Sequence, residues 1–275
     1  MQLILVQNPL EGLTKAKEIL QKEVDKKTVL FLSGGRTPKE LYEKLATEQK
    51  LLPGAVGLID ERYGPPAIAS EALRAGPKGH ENSNEKMIEE SGLLHYLEQK
   101  RIPFYPILQP SVIASPAKRD EAISREPTAH AYDTTVRDLL FKFPKSVGIL
   151  GIGLDGHTAG IPTNGRELGI TNKELEEKDH NSYFLIHNSN EADIYNTSKL
   201  VDSYDDSTGK YGERVTMTFT ALSMLDTLIV VVLGKDKADA LKKSFQPGSL
   251  SEIPARFYQQ PEISKKTILI TDQRI

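Results

Sequence analysis

The 275-residue chain contains no cysteine, which removes three possibilities together: a disulfide framework, a thiolate metal site and a thiol nucleophile. It also lacks a charge imbalance. Lys and Arg number 35 against 38 Asp and Glu, a formal net charge of -3, so no global field draws the protein toward nucleic acid or an anionic membrane. Any anionic ligand must then be held by locally placed cations and backbone N–H groups. Long apolar runs are missing as well. Met1–Pro9 is apolar but short, without a basic n-region or a small-residue cleavage site, and no later stretch approaches the length of a membrane span. No repeat or low-complexity tract interrupts the chain. These absences predict a soluble, unprocessed, cytoplasmic protein with no nucleic-acid partner and no membrane partner.

What is present is enough apolar material for a large core, 38% of residues, and one α/β domain over residues 1–275 is expected. Leu3–Val6 reads as a short strand, and Ala16, Ile19, Leu20 and Val24 fall at helical spacing within Leu13–Val24. The apolar run Thr28–Leu32 stops at Ser33, Gly34 and Gly35. Thr37-Pro38 then fits an N-cap with proline at the first helical position, opening a helix over Lys39–Ala46. Val56–Ile59, Val147–Ile152 and Leu228–Leu233 are further apolar runs that end in glycine or charge. A helix is expected from about Ala129 to Phe141 and another over Ala238–Lys243. Val215, Met217 and Phe219 alternate with threonines and predict a half-buried strand. Pro65–Asn84 and Thr163–Arg214 read as surface excursions, and prolines break Pro110–Arg125. Strand, turn and helix in alternation predict a mostly parallel sheet whose carboxyl ends carry the chemistry.

Three turns concentrate that chemistry. Ser33, Gly34, Gly35, Arg36 and Thr37 sit where a strand gives way to a helix, so unpaired N–H groups and the helix dipole face any anion placed there. The Walker lysine and the three-glycine dinucleotide fingerprint are both missing, which disfavours a nucleotide. An ordinary capped turn is the alternative. Asp60, Glu61 and Arg62 follow a strand, and alternation puts Asp60 and Arg62 on one face with Glu61 turned away; a plain surface charge cluster is the competing reading. Gly151, Gly153, Asp155, Gly156 and His157 form the most informative segment. Interleaved glycines suit a tight turn that exposes an imidazole beside a carboxylate able to fix its tautomer. No second histidine lies at ligand spacing, so no metal is expected. His80, His95 and His130 read as surface or structural residues. Arg214 and Lys237 lie near strand ends, able to donate to a phosphate.

Taken in order, Leu32-Ser33-Gly34-Gly35-Arg36-Thr37-Pro38, Asp60-Glu61-Arg62, Ser83-Asn84, Gly151 through Ala159, Glu213-Arg214-Val215-Thr216 and Gly234 through Leu241 resemble the family that unites 6-phosphogluconolactonases with glucosamine-6-phosphate deaminases. The resemblance implies a three-layer, Rossmann-like α/β fold. It also implies a sugar phosphate held by Gly34, Gly35, Thr37, Arg214 and Lys237, with Arg36 in the same turn, and chemistry at His157. In the deaminases a glutamate stands five residues after the histidine. Here that position is Pro162, and Thr158-Ala159 and Arg62 are lactonase-like.

The reading this supports is hydrolysis of 6-phosphogluconolactone without metal or organic cofactor. His157 is the general base, Arg62 stabilises the oxyanion, and Asp155 or Asp60 orients the imidazole or the sugar. A deaminase/isomerase and a non-catalytic sugar-phosphate binder are the alternatives. A DNA-binding regulator is disfavoured because the lead before Thr28 is too short for a helix-turn-helix. The expected assembly is a monomer or small homo-oligomer. Two departures concern substrate range: Gly160-Ile161-Pro162-Thr163 replaces the Ser-Leu-Phe-Pro usual in the lactonases, and the segments before Ser83 and Arg214 are long.

Overall fold

Branched, apolar runs without polar alternation can be buried on both faces, and such runs form the centre of a seven-stranded sheet whose edges are more exposed. The computed structural model describes residues 1–62, 83–108, 125–163, 199–204 and 214–274. In chain order the first strands are β1 (Gln2–Leu5), β2 (Thr28–Leu32), β3 (Ala55–Leu58), β4 (Asp60–Arg62) and β5 (Phe104–Tyr105). They are followed by β6 (Lys145–Leu150), β7 (Val201–Tyr204), β8 (Arg214–Met217), β9 (Thr227–Val232) and β10 (Thr267–Thr271). Seven of them form a sheet in the order β1-β10-β9-β6-β2-β3-β5, and all its pairings are parallel.

The helices are α1 (Pro9–Glu23), α2 (Arg36–Glu48), α3 (Asn84–Glu90), α4 (Leu93–Gln99), α5 (Arg125–Lys142), α6 (Phe219–Met224), α7 (Ala238–Ser244) and α8 (Pro261–Lys265). α1 starts where Asn8 accepts from the N–H of Glu11 and Pro9 presets the first turn. α2 buries Leu41, Tyr42 and Leu45, and Tyr42 donates to the carbonyl of Ser33 at 2.8 Å, tying the helix to the end of β2. Among the described residues no helix is long and apolar enough to cross a membrane.

From β2 the chain moves outward through α2 to β3 and β5, whereas from β6 it moves the other way to β9 and β10. Right-handed crossovers send these two sets of helices to opposite faces, giving the three-layer α/β arrangement. β2 and β6 are neighbours whose connections diverge, so a crevice must open beyond their carboxyl ends. The Ser33-Gly34-Gly35 turn and the Gly151–His157 turn leave the sheet at that crevice.

A second sheet, β4-β8-β7, is antiparallel. The chain leaves β3 at Ile59, whose N–H still donates to Leu32, and at once enters β4. Asp60, Glu61 and Arg62 are thus a strand of their own.

Several expectations are corrected here. The strand beginning at Arg214 ends at Met217, and Thr218 instead caps α6 by accepting from the N–H of Ala221. It is fully buried because it is the middle strand of its sheet and packs against α5. Thr37 is not an N-cap. The helix starts at Arg36 behind Gly35, whose φ of 116° lies in the region that favours glycine. Within the expected polar excursion Thr163–Arg214, residues 201–204 pair as β7. Its remaining parts 164–198 and 205–213, the stretch 63–82 with His80, and residues 109–124 lie outside the described residues.

Candidate active site

The crevice is a cleft of ≈ 510 Å³, and its walls include Gly34, Gly35, Arg36, Thr37, Asp60, Arg62, His157, Arg214 and Lys237. The parallel sheet delivers the first glycine turn and the histidine turn side by side, because β2 and β6 are adjacent and in register. β4 and β8 bring Asp60, Arg62 and Arg214 to the same opening, with Arg62 opposite Arg214 in the antiparallel ladder.

His157 is held by its own turn. Its Nδ1 lies 2.6 Å from Asp155 Oδ1, and its backbone N–H donates to the same oxygen at 3.1 Å. A carboxylate only accepts, so Nδ1 carries the proton and Nε2 is left as the basic nitrogen. Asp155 is thus hydrogen-bonded to the imidazole through Oδ1. The ring lies over Gly153, where a Cβ would come within 2.1 Å of it. Gly156, at φ 95°, turns the chain back so that its N–H reaches the Gly153 carbonyl at 3.1 Å. Thr158 donates to Gly151 O at 2.8 Å, and Tyr258 donates in turn to Thr158 at 2.6 Å. The 3-10 helix Pro254–Gln259 further braces the turn through Ala255 N–H and Gly156 O at 3.0 Å.

Asp60 and Arg214 form a buried ion pair at 2.7 Å. Asp60 is therefore bound to a cation and does not touch the imidazole in any hydrogen bond that defines the turn. Arg62 donates through Nη1 to Asn84 Oδ1 at 3.1 Å. Burial, together with the charge of Arg214, pulls the Arg62 guanidinium down from its ordinary value. Lys237 sits in the 3-10 turn Lys235–Lys237, not on the face of α7, and donates to Ile152 O at 2.9 Å. Arg36 is exposed at the mouth of the cleft, 3.7 Å from Asp236. His95 and His130 are surface residues, as expected.

Glu61 points away from the cleft into a buried nest of donors. Its oxygens accept from the N–H groups of Arg62, Asn84 and Glu85 at 2.7, 2.8 and 2.9 Å and from Ser83 Oγ at 3.0 Å. Asn84 and Tyr258 were not legible as site residues. Ser83-Asn84 is legible as a motif of the resemblance at the end of an expected surface excursion, but nothing local reveals that the Asn side chain turns back toward β4, and Tyr258 lies 100 residues beyond Thr158.

Comparison with known proteins gives a consistent result. The family described as Glucosamine-6-phosphate isomerases/6-phosphogluconolactonase matches residues 10–268. The chain is 27% identical over 255 residues to a 6-phosphogluconolactonase of Thermotoga maritima, covering 90% of this chain and 86% of that one. It is 23% identical to a glucosamine-6-phosphate deaminase of Lactobacillus johnsonii, covering 96% and 93%. Its fold matches the crystal structure of a 6-phosphogluconolactonase from Shewanella baltica with a TM-score of 0.65, over 99% of this chain and 97% of that one at 17% identity.

Proposed function

Since the chain belongs to the family of glucosamine-6-phosphate isomerases and 6-phosphogluconolactonases, we propose that it hydrolyses 6-phosphogluconolactone to 6-phosphogluconate, with residues 1–275 acting as one sugar-phosphate domain. The observation that carries this reading is the 2.6 Å contact between Asp155 and His157 Nδ1 in a cleft that also holds Arg36, Arg62, Arg214 and Lys237. A neutral imidazole with a fixed tautomer is a base, and clustered cations suit a doubly charged phosphate.

The phosphate docks at the start of α2, where Gly34 and Gly35 admit close approach, Thr37 adds a hydroxyl, and Arg36, Arg214 and Lys237 add charge. His157 Nε2 takes a proton from water as the water oxygen bonds to the lactone carbonyl carbon. Arg62 donates to the oxyanion that forms. When the ring C–O bond breaks, the departing oxygen takes the proton from His157, and the new carboxylic acid ionises. Pro162 in place of a glutamate leaves the ring-opening relay of a deaminase without its carboxylate, which favours the lactonase branch.

The test is acid release from freshly generated 6-phosphogluconolactone, measured against a no-enzyme blank. Wild type should accelerate it, and His157→Ala should lower kcat by about 10²-fold or more. Near-normal turnover by His157→Ala would remove the base from its role, and ammonia release from glucosamine 6-phosphate would move the protein to the other branch.

A further inference from the structure

Asn84 is 1% exposed, and both ends of its carboxamide are engaged. Nδ2 donates to the carbonyl of Asp60 at 2.7 Å, and Oδ1 accepts from Arg62 Nη1 at 3.1 Å. This orientation follows from chemistry: a carbonyl only accepts and a guanidinium only donates, so the amide cannot be reversed without losing both bonds. The same side chain lies directly under the phosphate turn, since a Cβ on Gly34 would stand 1.8 Å from Asn84 Oδ1. Its backbone N–H shares Glu61 Oε1 with the N–H of Arg62. One buried residue therefore touches the glycine turn, the backbone of Asp60 and the guanidinium of Arg62. Among the described residues the hydroxyl of Ser83 next to it reaches only Glu61 and the N–H of Lys86.

We propose that Asn84 is a positioning residue: it fixes the Arg62 guanidinium relative to the Gly34 turn, and so sets the span between the bound phosphate and the reacting carbonyl. The role rests on the lactonase reading. Orientation of a reacting group at fixed distance is a large part of a barrier, so loosening Arg62 should cost turnover more than affinity.

The experiment is a double-mutant cycle with Asn84→Ala, Arg62→Ala and the double variant, reading kcat, KM and inhibition by inorganic phosphate. Asn84→Ala should lower kcat by about tenfold or more, with KM and phosphate inhibition within about threefold. In the Arg62→Ala background it should change kcat by less than about twofold. Asn84→Asp keeps an acceptor for Arg62 but loses the donor to the Asp60 carbonyl, so it should lower Tm yet retain more of the wild-type kcat than Asn84→Ala. Where the alanine variant does not fold, the aspartate variant is taken through the cycle with Arg62→Ala instead. Ser83→Ala should lower Tm by losing a cap yet keep kcat within about threefold. The proposal is overturned if Asn84→Ala keeps wild-type kcat, if it loses the same factor with or without Arg62, or if the aspartate or Ser83 variant falls as far. A wild type without turnover would overturn the lactonase reading and this role with it, whereas a working wild type with an indifferent Asn84→Ala overturns the role alone.

Discussion

Glu61 is fully buried, and burial pushes its carboxyl up to about 7, while the backbone N–H groups of Glu85, Asn84 and Arg62 pull it back. In the unfolded chain the group titrates near its ordinary 4.5, so between these two values the folded state holds a proton that the unfolded state has released. Raising the pH through that window therefore removes stability, by at most about 1.4 kcal/mol per pH unit. Above about 7 the effect is complete. Urea unfolding from pH 4.5 to pH 7 should show wild type losing roughly 2–3 kcal/mol relative to Glu61→Gln. Parallel curves would mean that the carboxylate stays ionised throughout. The direction in which Glu61 points was readable from strand alternation, whereas the nest of donors around it was not, because Ser83, Asn84 and Glu85 arrive from more than twenty residues away.

At the scale of elements, the small antiparallel sheet is joined by a charge pair. Asp60 on β4 and Arg214 on β8 are each almost fully buried and meet at 2.7 Å. Both were expected to serve the ligand, and both do line the cleft, but they also hold two strands in register. Removing one charge leaves the other without its closest counter-ion in a low-dielectric place, so Asp60→Asn should destabilise the fold by on the order of 3 kcal/mol. Chemical denaturation checks this; a loss below about 0.5 kcal/mol would mark the pair as no stronger than a surface ion pair. Five of the seven parallel strands were legible as apolar runs, Thr28–Leu32 with the expected bounds and the other four shifted by one or two residues, while β5 and β10 were not anticipated. Nor were β4 and β7, since three or four residues carrying Asp, Glu, Arg or Ser give no apolar period. Alternation in Val215–Phe219 was read one step too far because Thr218 serves equally well as a strand residue and as a helix cap.

Across the whole molecule, a slightly acidic protein gathers Arg36, Arg62, Arg214 and Lys237 around one opening, balanced only in part by Glu40, Asp60 and Asp236. Positive charge is thus in slight excess where the sheet topology opens a crevice, in a chain that is slightly acidic as a whole. Under the proposed function, 6-phosphogluconate should bind the folded state alone. At a hundred times its Kd it should add about 2.7 kcal/mol to stability, read as a rise in Tm. His157→Ala should keep that rise while losing turnover, and Lys237→Ala should diminish it. A Tm indifferent to 6-phosphogluconate in wild type would remove the sugar phosphate as the ligand.

The sequence by itself determined the parallel α/β class, the glycine turns and the identity of the imidazole and cations, because each is local: an apolar run, a glycine where the backbone must bend, an Asp two residues before a His. Only the tertiary structure decided which of these meet. Neighbouring β2 and β6 with diverging crossovers bring the two glycine turns together, and antiparallel pairing joins Asp60 to Arg214. The return of α3 against β4 places Asn84 between Gly34 and Arg62. Such contacts depend on strand order and on pairings between residues far apart in the chain, and no window of neighbouring residues records either.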